Sequence, residues 1–217
     1  ARNQAIRADS AKSAFIAHVS HELRTPIHSL AGILRILFKR EESLYKRNLI
    51  QTARESSATL LATINDILDL SKIESGSLEL QNIEFSLRDT IRASLKSVTH
   101  KIEEKVELSL LFDIHPGVPN FIMGDPYRLQ QILVNLLGNA AKFTHEGSIT
   151  LTVELRPGSS PPQLLIKVAD TGTGIASDRL SKIFEPYKQA DASIEARFAG
   201  TGLGLSIVKQ LTEQLHR

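Results

Sequence analysis

His21 stands in the stretch Ser20-His21-Glu22-Leu23-Arg24-Thr25-Pro26, where residue types and spacing are suited to nucleophilic chemistry. A neutral imidazole has one ring nitrogen able to attack an electrophile, provided that the ring is accessible and a reagent is brought to it. At roughly 100° per residue on a helix, Val19, Leu23, Pro26, Leu30, Ile33 and Leu37 fall on one narrow apolar seam, and His21 falls nearly opposite. Such a seam marks a coiled-coil or bundle helix. His21 is therefore expected on its solvent-facing side, open to another domain.

The reagent is suggested by three stretches far along the chain. On a helix opened by Asp125-Pro126, Leu129, Ile132, Leu133, Leu136, Leu137 and Ala140 form an apolar arc, while Arg128, Gln131, Asn135, Asn139 and Lys142 form a polar stripe. Asparagines one turn apart can offer amide oxygens to a hard cation, and a lysine beyond them an ammonium to phosphate. On its own the stripe reads as a solvated helix face. Asp170-Thr171-Gly172-Thr173-Gly174-Ile175 follows a strand directly, so Asp170 can accept from the exocyclic amine of a base while Gly172 and Gly174 let a ligand approach the backbone. Gly200-Thr201-Gly202-Leu203-Gly204-Leu205 runs straight into a helix, whose first N–H groups favour phosphate. Glycine runs taken singly mark turns; with the asparagine stripe they outline a nucleotide site. The P-loop pattern ending in Gly-Lys-Ser/Thr is absent, so that site is of another kind.

The elements that must position these residues follow from periodicity. One long helix is predicted to about Phe38, bent just after the histidine because Pro26 removes a backbone hydrogen bond. Residues 39–43 form a short charged connection. A second helix, about Leu44 to Glu74, carries an apolar seam at Ile50, Ala53, Ser57, Leu60, Ile64 and Ile67, widened by Leu61 and Leu68, with Gly76 as its stop. Two helices joined by a short loop make an antiparallel hairpin that buries too little alone, and a homodimeric four-helix bundle is the economical solution. Beyond Gly76 the pattern becomes α+β. Ile83-Glu84-Phe85 is a short extended piece, Ser86 to Asp89 resembles a capping box opening a helix to about Lys101, and Val106 to Ile114 reads as a strand. Phe121 to Met123 is extended, and Asp125-Pro126 caps the next helix. Ser148 to Leu155 and Gln163 to Ala169 make an antiparallel hairpin. A short helix is expected near Ser177 to Ile183, with Ile183 and Phe184 in the core, and a last helix from about Leu203. The domains are thus residues 1–76 and 77–217.

Composition bounds the rest. The 26 basic and 24 acidic residues are mixed along the chain and give a net charge of +2, so nothing demands nucleic acid or an anionic membrane. No apolar run approaches the ~20 residues of a membrane span, and the N-terminus lacks a signal-peptide core. With no cysteine there is neither disulfide nor thiolate metal site, which suits a reducing compartment. His18, His21 and His28 fall near one face, but no acid or cysteine completes a zinc set, so His18 and His28 read as surface histidines. The helix-prone, signal-free start suggests a fragment of a longer chain.

On these residues the chain resembles the transmitter core of a sensor histidine kinase, particularly the hybrid type. His21 to Pro26 is similar to the H box; Asp125-Pro126 through Asn135-Leu136-Leu137-Gly138-Asn139-Ala140-Ala141-Lys142-Phe143-Thr144 to the N box. Asp170 to Gly174 is similar to the G1 box, Phe184-Glu185-Pro186-Tyr187 to the F box, and Gly200 to Gly204 to the G2 box, all in the family's order. The resemblance implies a helical hairpin forming a dimeric four-helix bundle, which dimerises and carries the phosphoacceptor, followed by an α/β-sandwich ATP-binding domain of the Bergerat type. It implies ATP and Mg²⁺ as cofactors: Asn139 with Asn135 on the metal, Lys142 on phosphate, Asp170 on the adenine amino group. Phe143 and Tyr187 would lie around the nucleotide or a mobile lid running roughly from Ala176 to Ala199, and Gly172, Gly174, Gly200, Thr201, Gly202, Leu203 and Gly204 would line the site. His21 would be the nucleophile, Glu22 its proton partner, and Thr25 the residue orienting water in the reverse reaction on a receiver.

The activity implied is ATP-dependent autophosphorylation on His21 followed by transfer to a response-regulator aspartate. The alternative is a regulatory or phosphatase-biased module that docks onto another histidine kinase or a receiver. A Bergerat-type chaperone or DNA-repair ATPase shares the nucleotide motifs but gives no reason for the histidine helix. The expected partners are a second copy and a receiver domain, with membrane contact only through segments outside this chain: a cytoplasmic fragment of a protein anchored in the bacterial inner membrane. Tyr187 stands where phenylalanine is commoner in the family, and Ile194 to Ala199 is an unusual approach to the second glycine run. The family's ATP-binding sheet usually gains a further strand pair beyond the position of Arg217, so a truncated sheet edge is expected.

Overall fold

A computed structural model describes residues 23–25, 27–41, 43–103, 105, 107–186 and 202–216, with the side chains of His100 and Lys101 left aside. The chain divides into two compact units, residues 1–79 and 80–217.

In the first unit, α1 (residues 27–40) is followed by α2 (Leu44–Glu74). Arg24 donates to the Asn65 side-chain oxygen at 2.7 Å, near the far end of α2. The Phe38 ring lies under the guanidinium groups of Arg47 and Arg54, at 4.9 and 5.0 Å from its centroid, near the loop. Residue 24 meets residue 65 while residue 38 meets 47 and 54, so the helices run antiparallel. Along α2 the hydroxyls of Thr52, Ser56, Ser57, Thr59 and Thr63 each donate to the carbonyl one turn back, which satisfies them without leaving the helix. The helix ends at a left-handed Gly76 (φ 66°): the Gly76 N–H donates to Ile73 and that of Ser77 to Lys72, the paired bonds of a Schellman motif. Ile27, Ser57 and Ile64 are buried, whereas Leu30, Ile33, Leu37 and Leu60 of the two seams stand about half exposed in the single chain. Pro26, where a bend is expected, lies outside the described residues.

The second unit sets helices against one face of a mixed sheet. β2 (Leu108–Ile114) lies parallel to β4 (Gly147–Leu155), which pairs antiparallel with β5 (Leu164–Asp170), giving the order β2-β4-β5. β1 (Ile83–Ser86) and β3 (Phe121–Gly124) make a separate antiparallel ribbon. Burial alternates along β4, so Ile149, Leu151 and Val153 face the helices. There they meet Leu87, Ile91, Leu95 and Val98 of α3 (Leu87–Glu103) and Leu133 and Leu137 of α4 (Pro126–Phe143) in one core. The last helix, α5 (Gly204–Leu215), lies against α4 and buries Ile207, Val208 and Leu211. The parallel β2/β4 pair needs a crossover, and α4 supplies it.

The caps follow sequence chemistry. Ser86 Oγ accepts from the Asp89 N–H at 3.2 Å, the first half of a capping box, while the Asp89 carboxylate pairs with Arg92 instead of turning back. Asp125 accepts from the Arg128 N–H at 3.0 Å and so caps α4.

The short helix expected near Ser177 to Ile183 is not formed. Residues 177–184 are successive turns, with Arg179 donating to Ala176 and Lys182 to Arg179 across three residues, and only Ile183 to Arg179 across four. These bonds do not build a continuous i→i−4 ladder. Phe184, expected in the core, is 39% exposed, and Ile183, expected there with it, is half-buried.

Candidate nucleotide-binding site

α4 is the axis of the site. Its apolar arc is drawn into the core, with Leu133, Leu137 and Ala140 buried, and that fixes the rotation of the opposite stripe. Along the stripe Arg128 donates to the Gln131 side-chain oxygen at 2.8 Å, and Asn135, Asn139 and Lys142 follow, all half-buried. Burial lowers the Lys142 ammonium's pKa below its ordinary value, and the ammonium lies 4.9 Å from the centre of the neighbouring Phe143 ring. A cation short of water at this place is favoured by any anion brought to it.

The beginning of α5 is seated against this stripe. A Cβ built on Gly204 would lie 2.8 Å from Asn135 Oδ1, so the bare glycine lets the helix start approach this side chain without displacing its amide. Gly202 is left-handed (φ 69°), and the buried Leu203 carbonyl accepts from the Ile207 N–H and the Ser206 hydroxyl. The end of the second glycine run thus brings a helix N-terminus to Asn135, an approach that no local signal specifies.

The loop after β5 is seated on the C-terminal end of α4. Asp170 Oδ1 accepts from the Gly172 N–H at 2.9 Å and lies 3.5 Å from the Thr144 hydroxyl, which donates to it. The Phe143 carbonyl accepts from the Thr173 N–H at 3.3 Å. A Cβ on Gly172 would come within 2.5 Å of that same carbonyl oxygen. The Thr171 hydroxyl accepts from the Ser148 N–H at 3.0 Å, which fastens the loop to β4. Asp170 is therefore held at an exposed strand end with one carboxylate oxygen committed to the loop. Gly174 is left-handed (φ 69°) just beyond.

Asn135 and Gly204 thus meet at one part of α4, Phe143, Asp170 and Gly172 at its end, and Asn139 and Lys142 lie between. His21, Glu22, Tyr187, Gly200 and Thr201 lie outside the described residues, as does most of the expected lid. Thr25 is on the described part of the first unit, its carbonyl accepting from Ser29 Oγ at 3.2 Å. Sequence reasoning gave no role to Thr144, although it lies within the N-box stretch, and it missed Lys105. Thr144 could have been found as the polar residue closing a helix beside an apolar run; Lys105 carries no local signal.

The asparagine amides are neutral oxygen donors, suited to Mg²⁺ but supplying only part of its octahedral shell. Among the described residues no group of three or more His, Cys, Asp or Glu could hold a metal ion. The donor set therefore fits a metal that arrives with nucleotide phosphates and its own waters.

Comparison with known proteins assigns both units. The family described as His Kinase A (phospho-acceptor) domain matches residues 11–76, and the family of histidine kinase-, DNA gyrase B- and HSP90-like ATPases matches residues 124–217. The chain belongs to the histidine kinases: it is a transmitter core in which a phosphoacceptor domain is followed by an ATP-binding ATPase domain. It is 43% identical over 216 residues to the signal transduction histidine-protein kinase BarA of Escherichia coli K12, spanning 99% of this chain and 23% of that protein. It is 40% identical over 217 residues to the autoinducer 2 sensor kinase/phosphatase LuxQ of Vibrio parahaemolyticus, spanning 99% and 25%. Among solved structures, full-length ShkA in complex with AMPPNP superposes with a TM-score of 0.72 at 32% identity, covering 92% of this chain and 40% of that one. The chain thus spans about a quarter of the length of the curated relatives BarA and LuxQ.

Proposed function

We propose that this chain binds ATP on α4 and transfers its γ-phosphoryl group to His21, from which it passes to a receiver-domain aspartate. The observation that carries the reading is the convergence on one helix face: the start of α5 against Asn135 at one part, and the Asp170 loop on the C-terminal end at another. Asp170, with its second oxygen uncommitted to Gly172, accepts from the adenine amine. Lys142 and the first N–H groups of α5 meet the phosphates. Asn139 and Asn135 hold Mg²⁺, which when bound offsets the charge of the phosphate oxygens.

In the reaction a neutral ring nitrogen of His21 attacks the γ-phosphorus in line, an N–P bond forms, and the bond to the β,γ-bridging oxygen breaks to release ADP. Glu22 holds or takes the proton on the other ring nitrogen. Transfer to a carboxylate then regenerates the imidazole. Labelling with γ-phosphate should give acid-labile, alkali-stable incorporation in wild type and none in His21→Gln. Equal labelling of the two would overturn the reading.

The half-exposed seam residues Leu30, Ile33, Leu37 and Leu60 are the surface on which a second copy completes a four-helix bundle, giving a homodimer. Light scattering should return twice the chain mass. No helix among the described residues is long and apolar enough to cross a membrane. On its likeness to relatives named as sensor proteins, we assign this chain to the cytoplasm, with inner-membrane attachment through segments outside it.

A phosphatase-biased module is the second reading, favoured by the relative whose name carries both activities. Thr25 lies one turn beyond His21, so both address one docked receiver. Thr25→Ala should then slow receiver dephosphorylation while leaving self-labelling intact; unchanged dephosphorylation counts against it. On this reading another histidine kinase is the further partner to test.

A further inference from the structure

The C-terminal end of α4 is tied down by a residue that belongs neither to that helix nor to any nucleotide motif. Lys105 lies in the turn between α3 and β2, its N–H bonded to the Ile102 carbonyl and its own carbonyl accepting from Leu108, the first residue of β2. Its ammonium donates to the carbonyl oxygens of Ala141 at 2.5 Å and Thr144 at 2.7 Å. Ala141 and Thr144 are 2% and 0% exposed, so these carbonyls have little access to water. Carbonyls of a last helical turn lack intrahelical partners and carry the negative end of the helix dipole, which a cation satisfies twice over.

The same end of α4 carries the loop that presents Asp170, through Phe143 and Thr144. The Ala140 carbonyl takes the Thr144 N–H, the Ala141 and Thr144 carbonyls take Lys105, and the Phe143 carbonyl takes Thr173. The Thr144 hydroxyl is thereby left pointing to Asp170 Oδ1. We infer that Lys105 is a positioning residue for base recognition: by clamping the end of α4 it fixes Thr144, and through Thr144 the orientation of the Asp170 carboxylate. The inference rests on the reading of Asp170 as the acceptor of the adenine amine.

The test compares equilibrium binding of ATP with that of purine riboside triphosphate, the same ligand without its exocyclic amine, on the whole chain. Wild type should prefer ATP by roughly tenfold or more, the weight of a hydrogen bond to a charged acceptor. Lys105→Met should reduce that preference severalfold, by weakening ATP while leaving purine riboside triphosphate within about twofold. Lys105→Arg, which keeps the charge and the donors, should retain it. A Lys105→Met protein that melts earlier but keeps the full preference, or loses both ligands equally, overturns the inference and leaves Lys105 a stabilising cap. Should Lys105→Met fail to fold, Thr144→Val decides. It keeps the shape and the clamp but removes the hydroxyl, and an unchanged preference overturns the inference. Equal binding of both nucleotides by wild type and Asp170→Asn would instead remove the Asp170 reading, and this inference with it.

Discussion

Asn135 and Gly204 stand so close that a methyl group on residue 204 would lie 2.8 Å from the Asn135 side-chain oxygen. The obstacle is the far end of a side chain, so Gly204→Ala can be accommodated by turning the Asn135 amide. Alanine also favours a helix over glycine by roughly 0.5–1 kcal/mol. The variant should therefore melt no earlier than wild type and yet bind ATP about tenfold more weakly, because the turned amide no longer offers its oxygen to the metal. Thermal unfolding and a nucleotide titration read the two effects separately, and undiminished affinity would sink the proposed role of Asn135.

Gly172 presents the opposite case. A Cβ there would lie 2.5 Å from the Phe143 carbonyl oxygen and 2.9 Å from its carbon, and backbone cannot swing aside. Gly172→Ala should cost about 1–3 kcal/mol, as other overpacked sites do, and lose ATP binding as the Asp170 loop lifts from α4. Gly138 is the internal control: it lies within α4 with nothing inside 4 Å of its Cβ position. Gly138→Ala should raise stability by roughly 0.5–1 kcal/mol. If urea unfolding gives both substitutions the same sign, the close approach at Gly172 is not what holds the loop.

These contrasts show what could be read from the sequence. Leu129 to Ala140 repeat with the helical period, so the rotation of α4, and with it the stripe from Arg128 to Lys142, was legible, as were the Asp125 cap and the Gly76 stop. The β4/β5 hairpin was legible from two alternating runs around a proline-rich turn. The parallel pairing of β2 with β4 was not, because Leu108 and Gly147 meet only through a crossover that leaves no local pattern. Residues 177–184 illustrate the converse failure: their composition permits a helix, but the chain spends its hydrogen bonds on separate turns. Lys105 was invisible because its partners, Ala141 and Thr144, lie 36 and 39 residues away and are backbone carbonyls, which carry no residue identity.

Asp125 is the cap with most at stake. It is 5% exposed, and its two oxygens accept from Arg128 N–H at 3.0 Å and Gln81 N–H at 3.1 Å, joining the start of α4 to the segment before β1. Asp125→Ala removes a cap worth about 1–2 kcal/mol and strips the Gln81 N–H of its acceptor, so a loss of roughly 2–3 kcal/mol is expected. Asp125→Asn keeps one acceptor oxygen and should lose about half as much. Denaturant unfolding followed by circular dichroism measures both; an Asp125→Ala loss below that of Asp125→Asn would contradict the double-acceptor role.

Asp66 on α2 makes the phosphoacceptor domain's stability depend on pH. Burial, and secondly the charge of Asp69, raise its pKa from 3.8 to about 6. The folded state therefore holds a proton that the unfolded state has released between about pH 4 and pH 6. Stability falls as pH rises through that window and is level above it, the reverse of an ion-paired carboxylate. Because the side chain is only partly withdrawn from water, screening leaves about 1–2 kcal/mol of this effect. Asp66→Asn should stabilise the chain by about that amount at pH 7 and flatten the slope between pH 4 and pH 6. Asp69→Asn should lower the Asp66 pKa without returning it to 3.8, because burial is the larger cause. Titration of the Asp66 carboxyl by NMR, with unfolding measured across the same range, separates the two contributions. A complete return to the ordinary value in Asp69→Asn would make the neighbouring charge, rather than burial, the source of the shift.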